Sequence, residues 1–240
     1  LETALLSLES KNKFELYPSK FTSGEDAIKI NGLIWMGEKS FMKSQIQDKI
    51  QQGFSCVKMK IGAINFEEEL ALLKFIRQEF SADDIELRVD ANGAFSTKKA
   101  LEKLKRLSDF DLHSIEQPIK QGQWQDMAEL CQTTPLPIAL DEELIGLTDV
   151  TNRKKMLLTI QPQYIILKPA LIGGLTESKK WIGMANELNI GNWITSALES
   201  NIGLNAITQF TYTLGSEMPQ GLGTGSLFSN NIDSPLEVVG

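Results

Sequence analysis

The feature that most constrains this chain is a recurrence. Short apolar runs ending in charged residues alternate with amphipathic stretches. Lys58 with Lys60, Asp90, Glu116, Asp141 and Lys168 stand at the ends of five consecutive runs, about 25 to 32 residues apart. One strand-plus-helix unit occupies about 30 residues, so the spacing is that of a β/α repeat. With a run at 28–35 ahead of these and runs at 191–195 and 220–223 behind them, eight strand signals alternate with helical ones. Such alternation asks for parallel strands joined by right-handed crossovers. Eight strands close more naturally than they lie open, and no Gly-x-Gly-x-x-Gly turn suggests a dinucleotide fold. The expected fold class is α/β, a TIM-like (β/α)7β barrel of parallel strands alternating with helices.

Helical spacing covers 40–52, 65–80, 96–107, 124–131, 149–158, 177–188 and 204–213. In the second of these, Phe66, Leu70, Leu73 and Ile76 share one face, and Glu67 to Glu69 fill the first turn, where the helix dipole favours anions. The opening residues 1–8 also read as helix, and 12–24, polar and broken by Pro18, as a connecting loop. The expected division is a helix and linker at 1–20, a barrel at 21–225 and a C-terminal segment at 226–240.

A chain of 240 residues, 42% hydrophobic, can bury a substantial core. Its net charge of −7 argues against nucleic acid or an anionic membrane as the main partner and leaves a small molecule or a cation. Two cysteines, Cys56 and Cys131, give no disulfide framework and fit a reducing cytoplasm. No apolar run approaches the ~18 residues of a membrane span. The start lacks the basic region and cleavage pattern of a signal peptide. It also lacks an initiator Met and begins as though inside a helix, so further sequence is expected upstream.

In barrels of this kind the chemistry lies at the carboxyl ends of the strands. Lys58 and Lys60 share one face of their strand, and two neighbouring ammonium groups repel, which lowers the pKa of at least one and suits it to act as a base. Each strand-end residue also has an ordinary structural role. The lysines fit a guarded edge strand, Asp90 a turn, Glu116 a strand end, Asp141 a helix cap and Lys168 a surface charge. Their recurrence at one phase of the repeat favours a shared site. Three converging carboxylates would repel unless a cation neutralised them. An all-oxygen set suits Mg²⁺ first and Mn²⁺ second, not zinc. Lysines on both flanks of such a cation suit removal of the proton α to a substrate carboxylate. His113 reads as a satisfied residue within its own strand.

At these residues the sequence resembles the enolase superfamily in its muconate-cycloisomerase-like branch. The matching runs are Lys58-Met59-Lys60, Val89-Asp90-Ala91-Asn92-Gly93, Ile115-Glu116-Gln117-Pro118, Leu140-Asp141-Glu142 and Ile166-Leu167-Lys168-Pro169, and the likeness extends over about 25–225. The resemblance implies Asp90, Glu116 and Asp141 as metal ligands, Lys60 as the acid/base and Lys168 as its counterpart across the substrate. Lys58 would hold the substrate carboxylate and depress the pKa of Lys60. Within the branch, the stretches 195–204 and 221–228 are similar to the o-succinylbenzoate synthase family of menaquinone biosynthesis, lyases that dehydrate a succinyl-hydroxycyclohexadiene carboxylate through an enediolate. N-succinylamino-acid racemisation remains the alternative, since it uses the same lysines. Gly223-Thr224-Gly225 replaces the Asp-x-Asp of dipeptide epimerases and argues against that activity.

One departure stands out. The family carries an N-terminal capping domain of which only the last helix is expected here, at 1–8, so a Mg²⁺-binding barrel without turnover is a third reading. Asn92, Ser196, Glu199, Gly223 and Thr224 are substrate-contact candidates. Trp35, Trp124, Trp181 and Trp193 read as packing residues, and Gly173-Gly174 as a tight loop.

Overall fold

The computed structural model describes residues 1–12, 14–224 and 228–238. Its strands are β1 Gly32–Ile34, β2 Cys56–Lys60, β3 Glu86–Asp90, β4 Ser114–Glu116, β5 Ile138–Leu140, β6 Tyr164–Leu167 and β7 Gly191–Ile194. They form one seven-stranded sheet in chain order, every neighbouring pair parallel. The helices are α1 Glu2–Glu9, α2 Lys39–Gln51, α3 Phe66–Glu79, α4 Thr97–Leu107, α5 Trp124–Thr133, α6 Val150–Ile160, α7 Pro169–Ile172, α8 Leu175–Glu187 and α9 Asn201–Tyr212. The sequence alternation thus predicts the α/β class, the parallel sheet and its order.

The closed (β/α)7β barrel does not follow. No regular eighth strand forms at 220–223, so the sheet is open and curled. Gln220 and Gly221 make only isolated parallel bridges, to Ile30 just ahead of β1 and to Thr195 just past β7. Composition accounts for this: Pro219 lacks an N–H, and Gly221 and Gly223 have no side chain to pack on a pleated surface. Residues 225–227, within the stretch likened to the synthase family, and 239–240 lie outside the described residues.

Alternate residues along each strand face opposite ways. Val57, Met59, Leu87, Val89, Ile115, Leu140, Ile165 and Leu167 join the main apolar core with the helices. A helix such as α3 holds its place there because Leu72, Leu73 and Ile76 are buried, each worth about 1.5–3 kcal/mol. Its start is fixed by Asn65, whose side chain accepts the Glu67 N–H at 2.9 Å. On the opposite face Ala139, Ile166 and Trp193 form a small apolar cluster, with Tyr164 and Met218 against them. Most of the other residues on that face are charged or polar.

Two features were not expected. The short helix α7 begins immediately after Lys168, where Pro169 supplies a backbone already suited to a first helical turn. In addition α1, none of whose residues is fully buried, is tied to the rest of the fold through Glu2. The Glu2 carboxylate accepts the N–H groups of Leu175 and Thr176, at 2.6 and 3.0 Å, at the start of α8.

Candidate active site

Strand register assembles the site. Lys60 pairs with Asp90, and Asp90 with Glu116, in one row across β2, β3 and β4; parallel neighbours lie about 4.8 Å apart. Lys58 pairs with Arg88 in the row below. Asp141 follows directly on β5 and Lys168 on β6. All six strand-end residues therefore meet at one edge of the sheet, as their recurrence predicts.

They meet as ion pairs. Lys58 Nζ lies 2.7 Å from Glu116 Oε2 and 3.5 Å from Asp90 Oδ2. Lys60 Nζ lies 2.5 Å from the same Asp90 oxygen and donates to Asn92 Oδ1 at 2.8 Å. Lys168 Nζ donates to Asp141 Oδ2. The turn after β3 helps aim Asp90: its Oδ1 accepts the Asn92 N–H at 3.0 Å, with Asn92 and Gly93 both in the left-handed region, at φ 43° and 72°. Asp90, Glu116 and Asp141 are all buried, with 0–2% of each exposed.

Two expectations change here. The first concerns the lysines. Burial pulls Lys58 down, as does loss of water at any buried cation, but the charges of Glu116, Asp90 and Asp141 outweigh it and hold the ammonium well above the ordinary lysine range. Lys168 is raised by the same balance, burial opposed by Asp141 and Glu116. At Lys58 the repulsion of its lysine neighbour is thus outweighed by the carboxylates that face it. The second concerns the cation. Three lysine ammonium groups neutralise the carboxylates, and among the described residues no group of three or more His, Cys, Asp or Glu side chains is set to hold a metal ion. Burial and the charge of Glu116 raise the Asp90 carboxyl despite both lysines. Burial also raises Asp141, against the charge of Lys168. One oxygen escapes this pairing: Glu116 Oε1 is buried with no hydrogen-bond partner among the described residues. A site made only of carboxylate oxygens, one of them orphaned, is chemically suited to a hard cation.

Beside the ion pairs lies a cavity of about 310 Å³, bordered by Lys58, Lys60 and Lys168 and walled by Ser196, Gly223 and Thr224. Ser196 and Thr224 hydroxyls are 2.7 Å apart. Neither Asn92 nor Glu199 borders the cavity. Asn92 is exposed, bridging Lys60 to Glu142 with an Nδ2 hydrogen bond of 2.8 Å. Trp35, read as packing, borders the cavity together with Asn31, Leu33, Leu171 and Thr195. Alternation along β1 puts residues 31, 33 and 35 on one face, a signal present in the sequence. Trp193 does pack, its ring 4.4 Å from the buried Arg88 guanidinium. His113 sits just ahead of β4 with Nδ1 2.9 Å from Ser114 Oγ.

A parallel α/β sheet whose strand ends gather buried carboxylates and lysines beside one cavity defines an α/β protein with its candidate site at the carboxyl ends of the strands. The chain belongs to the family described as enolase C-terminal domain-like, whose profile matches residues 42–238. It is 58% identical over 240 residues to the o-succinylbenzoate synthase of Desulfotalea psychrophila, covering 100% of this chain and 65% of that protein. The crystal structure of MenC from Desulfotalea psychrophila matches with a TM-score of 0.91 at 56% identity, covering 98% of this chain and 65% of that one. The N-succinylamino acid racemase of Thermus thermophilus is 31% identical over 158 residues, 66% of this chain and 40% of that protein. The chain thus spans less than two thirds of the length of each of these relatives. Among the described residues no helix is long and apolar enough to cross a membrane.

Proposed function

We propose that this chain is the α/β portion of a carbon–oxygen lyase of the o-succinylbenzoate synthase type, which dehydrates a succinyl-hydroxycyclohexadiene carboxylate. The observation that carries the reading is that Lys60 and Lys168 border one cavity while their ammonium groups rest on Asp90 and Asp141. The 58% identity to a protein bearing that name supports the same choice. Residues 1–20 would then be the end of a capping segment, 21–225 the catalytic part and 226–240 a C-terminal segment.

Asp90, Glu116 and Asp141 would hold Mg²⁺, with Mn²⁺ as a substitute. When bound, the cation would supply positive charge to the substrate carboxylate as negative charge gathers there. The remaining work falls to side chains. Lys58, kept cationic by its carboxylate neighbours, would hold the substrate carboxylate. Lys60 must first give a proton to solvent through the cavity it borders and release Asp90 and Asn92. It then takes the α-proton; when the C–O bond breaks, the departing oxygen keeps the bonding pair and recovers that proton from Lys60, so that water leaves and a ring double bond forms. Lys168 would present its charge from the other side of the ring. Ser196, Gly223 and Thr224 would contact the succinyl tail, with Asn92 and Glu199 outside the cavity wall in supporting positions.

The likeness to the Thermus racemase supports a second reading, N-succinylamino-acid racemisation by the same two lysines. One experiment separates them. The chain is incubated with Mg²⁺ and either the cyclohexadiene substrate or an N-succinylamino acid in D₂O, following aromatic product and α-deuteration, and compared with Lys60→Ala. The lyase reading expects aromatic product, reduced by roughly 10²–10⁴-fold in the variant. Undiminished turnover in Lys60→Ala overturns the assigned base, and α-deuteration without aromatic product moves the assignment to the racemase.

A further inference from the structure

We propose that Gln117 is the positioning residue that fixes the three strand-end carboxylates relative to one another. Through it, the affinity of the site for a hard divalent cation would be set; that consequence rests on the metal reading above, and the placement itself does not. Gln117 follows Glu116 directly, is 0% exposed, and has φ of +38°, a left-handed backbone that residues other than glycine seldom adopt. It contacts all three carboxylate-bearing strand ends. Its carbonyl accepts the Gly93 N–H at 2.7 Å, in the turn that follows Asp90. Its own N–H donates to Ala139 O at 2.9 Å, two residues ahead of Asp141. Its side-chain Oε1 accepts the N–H of Asp141 itself at 3.2 Å.

The other end of the side chain is anchored independently. Nε2 donates to Ile119 O at 3.0 Å and to Glu143 Oε2 at 3.1 Å, and Glu143 Oε1 accepts the Gly122 N–H at 2.7 Å. Every polar atom of Gln117 is thus engaged. Of these bonds, those of Oε1 and Nε2 depend on the residue being glutamine, and Oε1 reaches a carboxylate-bearing residue itself. Carboxylates aimed at one point must be held within fractions of an ångström, because each tends to move away from the others. The left-handed turn at Gln117 ends the regular strand immediately after Glu116, and the side chain is then free to run across to β5.

The probe is Mn²⁺ alone, titrated by electron paramagnetic resonance into the full chain without substrate. A second readout is hydrogen exchange at the Asp141 amide, which reports its bond to Gln117 whether or not metal binds. Gln117→Leu, similar in size but without either polar atom, is expected to weaken Mn²⁺ binding by about 10–100-fold and to speed exchange at Asp141 by about tenfold, with unchanged far-ultraviolet circular dichroism. Gln117→Glu alone sets two buried carboxylates against each other and is expected to weaken binding at least as much. Gln117→Glu combined with Glu143→Gln restores one donor and one acceptor between the two positions and is expected to recover most of the affinity. A folded Gln117→Leu that binds Mn²⁺ like the parent, with unchanged exchange at Asp141, overturns the proposal. Should Gln117→Leu not fold, the swap decides: a folded double variant that binds no better than Gln117→Glu overturns it. If the parent itself binds no Mn²⁺, the metal reading fails by itself, and exchange at Asp141 still tests the placement: faster in Gln117→Leu supports it, unchanged overturns it.

Discussion

Lys58 and Glu116 form an ion pair 2.7 Å long in which neither side chain is more than 8% exposed. In this arrangement the protein carries its own counter-charge for carboxylates that would otherwise repel. Replacing Lys58 with Met removes that charge and leaves Glu116 buried without it, a change expected to cost about 3–5 kcal/mol. Urea denaturation in the presence of a chelator measures the loss. If Asp90, Glu116 and Asp141 hold a divalent cation, Mg²⁺ binds more tightly where the facing ammonium is gone, stabilises the variant more than the parent and so shrinks the difference, by about 1.4 kcal/mol for each tenfold in affinity. An equal loss with and without Mg²⁺ counts against the ligand assignment.

The turn that follows Asp90 makes a sharper backbone prediction. Gly93 has φ of +72°, and a Cβ there would stand 3.0 Å from Lys120 Cα and 3.1 Å from Lys120 N. Gly122 has φ of +85° but open space around it. An alanine at either position bears the left-handed cost of roughly 1–2 kcal/mol, and at Gly93 a main-chain clash is added. Gly93→Ala is therefore expected to lose clearly more stability than Gly122→Ala by urea denaturation. It is also expected to lower any activity, because Asp90 and Lys60 both bond Asn92 in that turn.

The contrast shows which parts of the molecule can be read from sequence. Order and type of the seven strands were legible because apolar period and turn residues are local. The caps at Asn65 and Asp149 mark helix starts as their residue types imply. Strand-end charges were legible through their common phase. What was not legible depends on contacts between distant residues. Lys58 invites a lowered pKa until Asp90 and Glu116, 32 and 58 residues further on, are seen to face it. The expected eighth strand is reduced to isolated bridges at Gln220 and Gly221, over a local run of proline and glycine. Gln117 stands within a quoted motif, yet nothing in Glu-Gln-Pro says that its side chain crosses to the next strand.

Arg153 and Glu177 give a pH test outside the site. The guanidinium is buried, lies 2.5 Å from Glu177 Oε2 and stacks 5.2 Å from the Trp181 ring centre, while Lys180 donates to Oε1 at 2.6 Å. The Lys180 and Arg153 hydrogen bonds hold the Glu177 carboxyl below the usual glutamate range. A carboxyl depressed in the folded state contributes stability above its unfolded pKa and loses it as pH falls through the folded value. The stability difference between the parent and Glu177→Gln is therefore expected to be full near pH 7 and to shrink progressively as acid is added below about pH 4.5. Asp90 and Asp141, raised by burial, have the opposite sign and erode stability as pH rises through their folded values. They are present in both proteins and cancel in the difference. Urea midpoints at several pH values between about 3 and 7 supply the comparison, and a gap that stays constant across that range contradicts the assignment.

Glu2 makes the last prediction, because its carboxylate joins α1 to the start of α8. It accepts three hydrogen bonds: from the Leu175 and Thr176 N–H groups and from the Thr176 hydroxyl. The first N–H groups of a helix have no partner within the helix, and the dipole there favours an anion, so a carboxylate satisfies both at once. α8 has no side-chain cap of its own, since the residue in that position is Gly174. Removing the carboxylate by Glu2→Ala is expected to cost about 0.5–2 kcal/mol and to loosen α1, which has no fully buried residue to hold it. Glu2→Gln keeps an acceptor without the charge and is expected to lose about half as much, a difference that narrows at high salt because the dipole attraction is screened. Hydrogen exchange at Leu175 and Thr176 reads the contact directly. Both amides are expected to exchange faster in Glu2→Ala while those in the middle of α8 hold their rates, and unchanged exchange at the two positions would show that α1 is held by something other than this carboxylate.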